Sequence, residues 1–255
     1  MTVVLAAEAL SKRFLKDERY LVALEDFSLA VEEGSFVVIL GRSGCGKSTF
    51  LNMAAGLTKP TSGRMLFNNQ PKLGPSQQVG YLTQSDSLMP WRNVRRNVEM
   101  PLELRGVPRR ERARAAGELI DKVGLTGFER HYPRELSGGM RRRASLARML
   151  ISNPQVLLLD EPFGALDAQL RQDLQEQLLQ LWRASGRTII FVTHDIEEAI
   201  LLADRVVILA ARGRIVIDKA IDLERPRDFE QPALAARLAE LRHEFTLALR
   251  EAAAV

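Results

Sequence analysis

The 255-residue chain contains one cysteine, Cys45, and three histidines. A single thiol excludes an intrachain disulfide and fits a reducing compartment. His131, His194 and His243 stand far apart, and no His/Cys cluster has the spacing of a transition-metal site. No apolar run reaches the roughly eighteen residues of a membrane-spanning helix, so none is expected. The opening residues, MTVVLAAEAL, lack a basic start and carry Glu8 inside their apolar stretch. They predict a first strand rather than a secretory leader. Internal repeats and low-complexity tracts are missing too.

What is present is an ordinary globular composition, 46% hydrophobic and 27% charged, enough for a sizeable core. The net charge of +4 suits nucleic acid, anionic lipid or phosphate ligands without selecting among them. Four short apolar runs stand between loop signals: SFVVIL (35–40), QVLLLD (155–160), RTIIFVT (187–193) and RVVILA (205–210). Such runs predict strands buried on both faces of a parallel sheet. Helical patterns alternate with them. Leu170, Leu174, Leu178 and Leu181 share one face, so the class is α/β. Residues 88–150 break the alternation. They are Arg-rich, without a convincing strand, and RRERARAAGELIDKV reads as an amphipathic helix with Leu119, Ile120 and Val123 inward. The expected organisation is one domain over 1–255. Its core is formed by about 1–87 and 151–225, with a helical subdomain over about 88–150. A helical tail over about 226–255 carries the stripe Leu234, Leu238, Leu241, Phe245 and Leu249.

GRSGCGKS (41–48) matches the P-loop pattern, with a strand before it and a helix-forming run behind it. Backbone N–H groups of Gly41, Arg42, Ser43, Gly44, Cys45 and Gly46, with the following helix N-terminus, can surround phosphates. Gly41, Gly44 and Gly46 are expected to allow close approach and positive φ. Lys47 would hold the β- and γ-phosphates, Ser48 would bind Mg²⁺, and Thr49 would add a hydroxyl to the α-phosphate. Asp160 ends a buried strand and suits Mg²⁺ orientation. Glu161 follows as the candidate general base. His194 closes another strand at the carboxyl end, where open α/β sheets bind ligands, and is assigned a γ-phosphate contact. A further Ser-Gly-Gly, in LSGGMRRR (136–143), looks like another phosphate cradle. By itself it reads equally as a helix N-cap.

GRSGCGKS, Gln84, LSGGM, LLLDEP, ALD (165–167) and THD (193–195), in this order and spacing, resemble an ABC transporter ATP-binding subunit over essentially the whole chain. The resemblance implies an α/β P-loop NTPase core of RecA-like type. It adds an inserted α-helical subdomain and an N-terminal antiparallel β region. It implies that Gln84 is the Q-loop glutamine at the Mg²⁺ and water site, and that Asp167 belongs to the D-loop. It also explains the additional cradle: two copies pack head to tail, and Ser137, Gly138 and Gly139 of one cap the ATP held by the other. An aromatic after the first strand stacks on adenine in such proteins; Phe14 matches and Tyr20 is the rival. LMPWRNVRRNV (88–98) resembles the corresponding stretch of nitrate, sulfonate and taurine importer ATPases. That likeness implies ATP hydrolysis with Mg²⁺, driving import of a small anion. The partners would be an integral membrane permease and, indirectly, a solute-binding protein. The chain would sit peripherally on the cytoplasmic face of the inner membrane. The alternatives are a cassette for another cargo, such as phospholipid or a thiamine precursor, and an ABC-type ATPase acting on nucleic acid. Against the latter, RRERAR (109–114) and RRR (141–143) lack interleaved aromatics and read as a solvated helix face. A small-molecule kinase would need an acceptor pocket that nothing here suggests. Two positions depart from the family pattern. Arg42 stands where proline is frequent. Arg142 replaces a common glutamine and is expected to add positive charge beside the signature helix.

Overall fold

The computed structural model describes residues 2–72, 74–164, 168–227 and 232–252. Along the chain run β1 (Val3–Lys16), β2 (Arg19–Glu32), β3 (Phe36–Gly41), α1 (Lys47–Ala54), β4 (Ser62–Phe67), β5 (Gln70–Pro71) and β6 (Val79–Leu82). Then follow α2 (Val94–Leu104), α3 (Arg109–Lys122), α4 (Gly138–Leu150), β7 (Val156–Asp160) and α5 (Ala168–Ser185). The last elements are β8 (Thr188–Thr193), α6 (Ile196–Leu202), β9 (Arg205–Leu209), β10 (Ile215–Ala220) and α7 (Pro232–Glu251). Two compact units result, Met1–Ser76 with Gly186–Val255, and Gln77–Ser185. The segment 88–150, expected to be helical, lies inside the second unit and contains α2, α3 and α4.

In the first unit, β2, β1, β4 and β5 form an antiparallel sheet in that order. β1 and β2 are long and irregular, with left-handed backbone at Ala9 (φ 48°) and Asp26 (φ 50°). The amides of these two residues donate to hydroxyls across the pair, Ala9 to Ser28 at 2.9 Å and Asp26 to Ser11 at 3.0 Å. Serine thus supplies the acceptors that the interrupted ladder lacks. A neighbouring layer places β3 between β8 and β9, parallel to both, with β10 antiparallel on β9. Every residue of β3 and β8 is buried, as their unbroken apolar runs predict. α1 packs Phe50 against Phe27 of β2, ring centroids 5.0 Å apart. Burying a side chain of this size is worth about 1.5–3 kcal/mol. α7 covers α6 and β9, burying Leu238, Leu241 and Phe245 of the predicted stripe.

In the second unit β6 and β7 are parallel neighbours. α2, α3 and α4 close around Val94, Val98, Ala116, Ile120, Val123, Ala144 and Ala147. The buried Asn97 side chain bonds Met89 N–H and the carbonyls of Met89, Arg92 and Asn93, which fixes the loop ahead of α2. Trp91 on that loop is 72% exposed. Leu174 and Leu178 of α5 are buried, and with Leu82, Leu146 and Leu159 they line one small apolar cavity.

Candidate active site

The first unit brings the P-loop and His194 to one end of adjacent strands. The pairing of Leu40 with Thr193 sets the loop after β3 beside the loop after β8. Of the P-loop glycines, Gly44 (φ 85°) and Gly46 (φ 109°) are left-handed. Gly41 does not have positive φ, which corrects the expectation for that residue. It is needed for space, since a Cβ there would lie 2.7 Å from Cys45 Sγ and 2.9 Å from the Leu209 carbonyl oxygen. Lys47 is buried and its Nζ donates to the carbonyls of Gly41 (2.6 Å) and Arg42 (3.0 Å). Arg42, Ser43, Gly44 and Ser48 are exposed, and Thr49 is half-buried. Cys45 is buried, and burial raises its thiol pKa against the lowering charge of Lys47.

α1 starts at Gly46 with no side-chain cap and no acidic residue in its first turn. α2, α4 and α6, by contrast, are capped by Asn93, Ser137 and Asp195. An N-terminus left to its backbone amides and its positive dipole end favours an anion. His194 is exposed and flanked by a tight polar knot. Thr193 donates its hydroxyl to Glu198 at 2.5 Å and accepts from Asp195 N–H, while Asp195 caps α6 through Glu197 and Glu198 N–H. Phe14 is 40% exposed on β1, with Lys12 Nζ 5.0 Å from its ring centroid, and Tyr20 is 72% exposed near the hairpin tip.

The second unit gathers the carboxylates. The β6–β7 register, Leu82 opposite Leu159, carries Gln84 to the end where Asp160 and Glu161 emerge. Gln84 Nε2 lies 3.5 Å from Glu161 Oε2. Glu161 takes left-handed backbone at φ 43°, a conformation costly for a side chain of its size. Asp160 is buried, and Tyr81 donates its hydroxyl to Asp160 Oδ2 at 3.4 Å. Burial and the Asp160 charge push the Tyr81 phenol well above its usual range, so it stays a neutral donor. Tyr81 escaped the sequence reading; its position three residues before Gln84, on a strand, was the available signal.

At the head of α4, Ser137 and Gly138 are exposed, and the Ser137 hydroxyl accepts from Met140 N–H at 3.3 Å. Gly139 is buried, and a Cβ there would lie 2.1 Å from Leu170 Cδ2, so Leu170 would have to move. Asp167 and its neighbours 165–166 lie outside the described residues. The run 141–143 is not a solvated face. Arg141 pairs with Asp86 at 2.9 Å, Arg143 donates to the Val123 and Gly124 carbonyls, and Arg142 is 5% exposed. The charge of Arg142 is therefore turned into the protein, not displayed beside the signature helix. Buried carbonyl oxygens outcompete water for its rigid fork of donors.

Residues 24–164 match the ABC transporter family. An uncharacterized ABC transporter ATP-binding protein of Methanocaldococcus jannaschii, MJ0412, is 48% identical over 229 residues, 89% of this chain and 86% of the relative. The taurine import ATP-binding protein TauB of Burkholderia pseudomallei is 44% identical over 248 residues, 97% of this chain and 95% of the relative. Among solved structures, the ATP-binding cassette MJ0796, a dimer bound to ADP and Pi, superposes with a TM-score of 0.78 at 31% identity, covering 86% of this chain and all of that one. With a P-loop after one buried strand and an Asp-Glu pair after another, the chain belongs to the ABC transporter family and is an ATP-binding, ATP-hydrolysing cassette.

Proposed function

We propose that this ATPase powers an importer for taurine or a related small anion, such as another sulfonate or nitrate. The observation that carries the substrate class is the likeness to TauB across 97% of this chain and 95% of that one. The cassette docks on an integral membrane permease at the cytoplasmic face of the membrane, and a solute-binding protein delivers the cargo. Among the described residues no helix is long and apolar enough to cross a membrane.

In this proposal the first unit holds the nucleotide. The P-loop amides and Lys47 take the phosphates, Thr49 adds a hydroxyl, Phe14 stacks on adenine, and His194 meets the γ-phosphate. The second unit activates water. Glu161 accepts the proton as the water oxygen bonds to the γ-phosphorus. The bond from that phosphorus to the bridging oxygen breaks, and ADP leaves with the electron pair. Gln84 orients this water. The donors Ser48, Asp160 and Gln84 offer only oxygen, and no cluster of three or more His, Cys, Asp or Glu residues occurs among the described residues. Each of these oxygens, Ser48 in the first unit and Asp160 and Gln84 in the second, is of the kind that Mg²⁺ takes from protein alongside substrate phosphates. When bound, Mg²⁺ neutralises charge on the β- and γ-phosphates. Two copies act as a head-to-tail pair, with Ser137, Gly138 and Gly139 of one, and Asp167, serving the nucleotide of the other. That the MJ0796 cassette is a dimer supports the pairing of two copies.

The test is co-purification with a candidate permease, reconstitution into vesicles, and ATPase assay with taurine, other sulfonates, nitrate and unrelated solutes. Stimulation by taurine and delivery of labelled taurine to the lumen are expected. Stimulation only by an unrelated cargo, such as a thiamine precursor, would overturn the substrate class.

A further inference from the structure

Arg142 sits in the second turn of α4 and points a buried guanidinium at both strand ends of the second unit. Its Nε donates to the Pro162 carbonyl at 2.7 Å. One terminal nitrogen donates to the carbonyls of Thr83 (2.6 Å) and Gln84 (3.4 Å), and the other to that of Asp160 (3.4 Å). One planar group thereby touches the chain at Gln84 on one side and the residues flanking Glu161 on the other. The same helix grips the next residues of the first segment. Ser145 donates to the Asp86 carbonyl at 2.5 Å, Arg141 to the Asp86 carboxylate, and Arg148 to the Ser87 carbonyl at 2.7 Å. Burial lowers the Arg142 pKa while Asp86 and Asp160 raise it, and the group remains a cation.

We propose that Arg142 is a positioning residue for hydrolysis, fixing the backbone that carries Gln84 and Glu161 to the signature helix, so that a shift of this helix moves the water-orienting pair. A guanidinium is suited to the task because its donors lie in one rigid plane. A glutamine is shorter with a single amide, and a lysine offers one point charge. The contacts are made to main-chain oxygens, so they set where the backbone lies whatever the neighbouring side chains do. The inference rests on the hydrolytic roles given to Gln84 and Glu161.

The experiment uses the full chain with Mg-ATP. Arg142→Met removes every donor but keeps an unbranched apolar stem. Turnover number is expected to fall about tenfold or more, because sub-ångström misplacement of reacting groups is costly. Affinity for a fluorescent ATP analogue should stay within about twofold, since uniform binding is untouched. A purely structural staple would instead lower the melting temperature and leave turnover per folded molecule unchanged. The same substitution in a Gln84→Ala background should cost at least about threefold less, because acting through a shared partner makes effects non-additive. Turnover of folded Arg142→Met equal to wild type, or equal losses in both backgrounds, would overturn the proposal. If Arg142→Met does not fold, Arg142→Lys, which keeps the charge but not the planar fork, is measured in both backgrounds by the same criteria. A wild-type chain that binds nucleotide but never hydrolyses it would overturn the roles of Gln84 and Glu161, and this inference with them. Wild-type turnover with unaffected variants would overturn the inference alone.

Discussion

The ammonium of Lys47 lies 2.6 Å from the carbonyl oxygen of Gly41, so the P-loop is closed on itself by the residue that ends its turn. Lys47→Ala removes this closure together with the cation proposed to face the phosphates. ATP affinity should fall by about a hundredfold or more, as expected for a lost charged contact. Isothermal titration of the purified variant is the check, and unchanged affinity would refute the assignment. Stability should drop by only about 1 kcal/mol per carbonyl left without its partner.

Glu161 offers two substitutions with opposite signatures. Glu161→Gln keeps the shape and removes the proposed base, so hydrolysis should fall by about a hundredfold or more while ATP still binds. Gel filtration of this variant with Mg-ATP should show a dimer. Glu161→Gly also abolishes hydrolysis but relieves the left-handed backbone at φ 43°. It should therefore melt above Glu161→Gln, by a difference worth about 1 kcal/mol. A lower melting point for the glycine variant would show that the conformation carries no strain.

Cys45 stands in the phosphate loop, yet its thiol is buried and its pKa is raised. Only the thiolate reacts quickly, so alkylation by iodoacetamide near pH 7.5 should be much slower in the folded chain than in urea. The raised pKa also fixes the sign of a pH effect. The stabilisation from keeping this thiol neutral is present below the unfolded-state pKa and is lost as pH rises through the higher folded value. Mass-spectrometric labelling rates across alkaline pH are the measurement. Equal rates in folded and unfolded protein would contradict the burial.

Phe245 of α7 is fully buried, and α7 packs on α6, the helix that follows His194. Phe245→Ala should cost about 3–5 kcal/mol of stability, the range for emptying a buried phenyl site. Thermal unfolding tests this. A loss below about 1 kcal/mol would mean that the tail is held elsewhere.

The head-to-tail pair is tested with tagged heterodimers. If Ser137 acts on the partner's nucleotide, pairing a Lys47→Ala chain with a Ser137→Arg chain concentrates both defects in one site and leaves the other intact. Placing both changes on one chain, paired with wild type, damages both sites. ATP occlusion should survive in the first pair and vanish in the second. The reverse outcome would place the action of Ser137 within its own chain.

The four runs read as buried strands became β3, β7, β8 and β9, because strands covered on both faces leave an unbroken apolar trace in one dimension. The opening residues predict a first strand, which is β1, but neither β1 nor β2 carries such an unbroken trace. Bulges at Ala9 and Asp26 shift the alternation within each strand, so no single period runs through either. The setting of the P-loop motif, between β3 and α1, is legible because strand, loop and helix follow one another in sequence. Arg142 was misread because its partners, at 83–84 and 160–162, are remote in sequence. A clue was present nonetheless. Arg142 falls three residues after Gly139 and four before Leu146, on the buried stripe of α4, where helical period alone turns it inward.

Two of the arginines that tie α4 to the segment after β6, Arg141 and Arg142, will respond differently to ionic strength. Arg141 binds the Asp86 carboxylate with both side chains partly in water, and dissolved ions weaken such a pair. Arg142 binds carbonyl dipoles out of reach of solvent, where counterions do not follow. Raising salt should loosen one tether and spare the other: the Asp86 carboxylate is freed, while the backbone stays held at Thr83 by Arg142 and at the Asp86 carbonyl by Ser145.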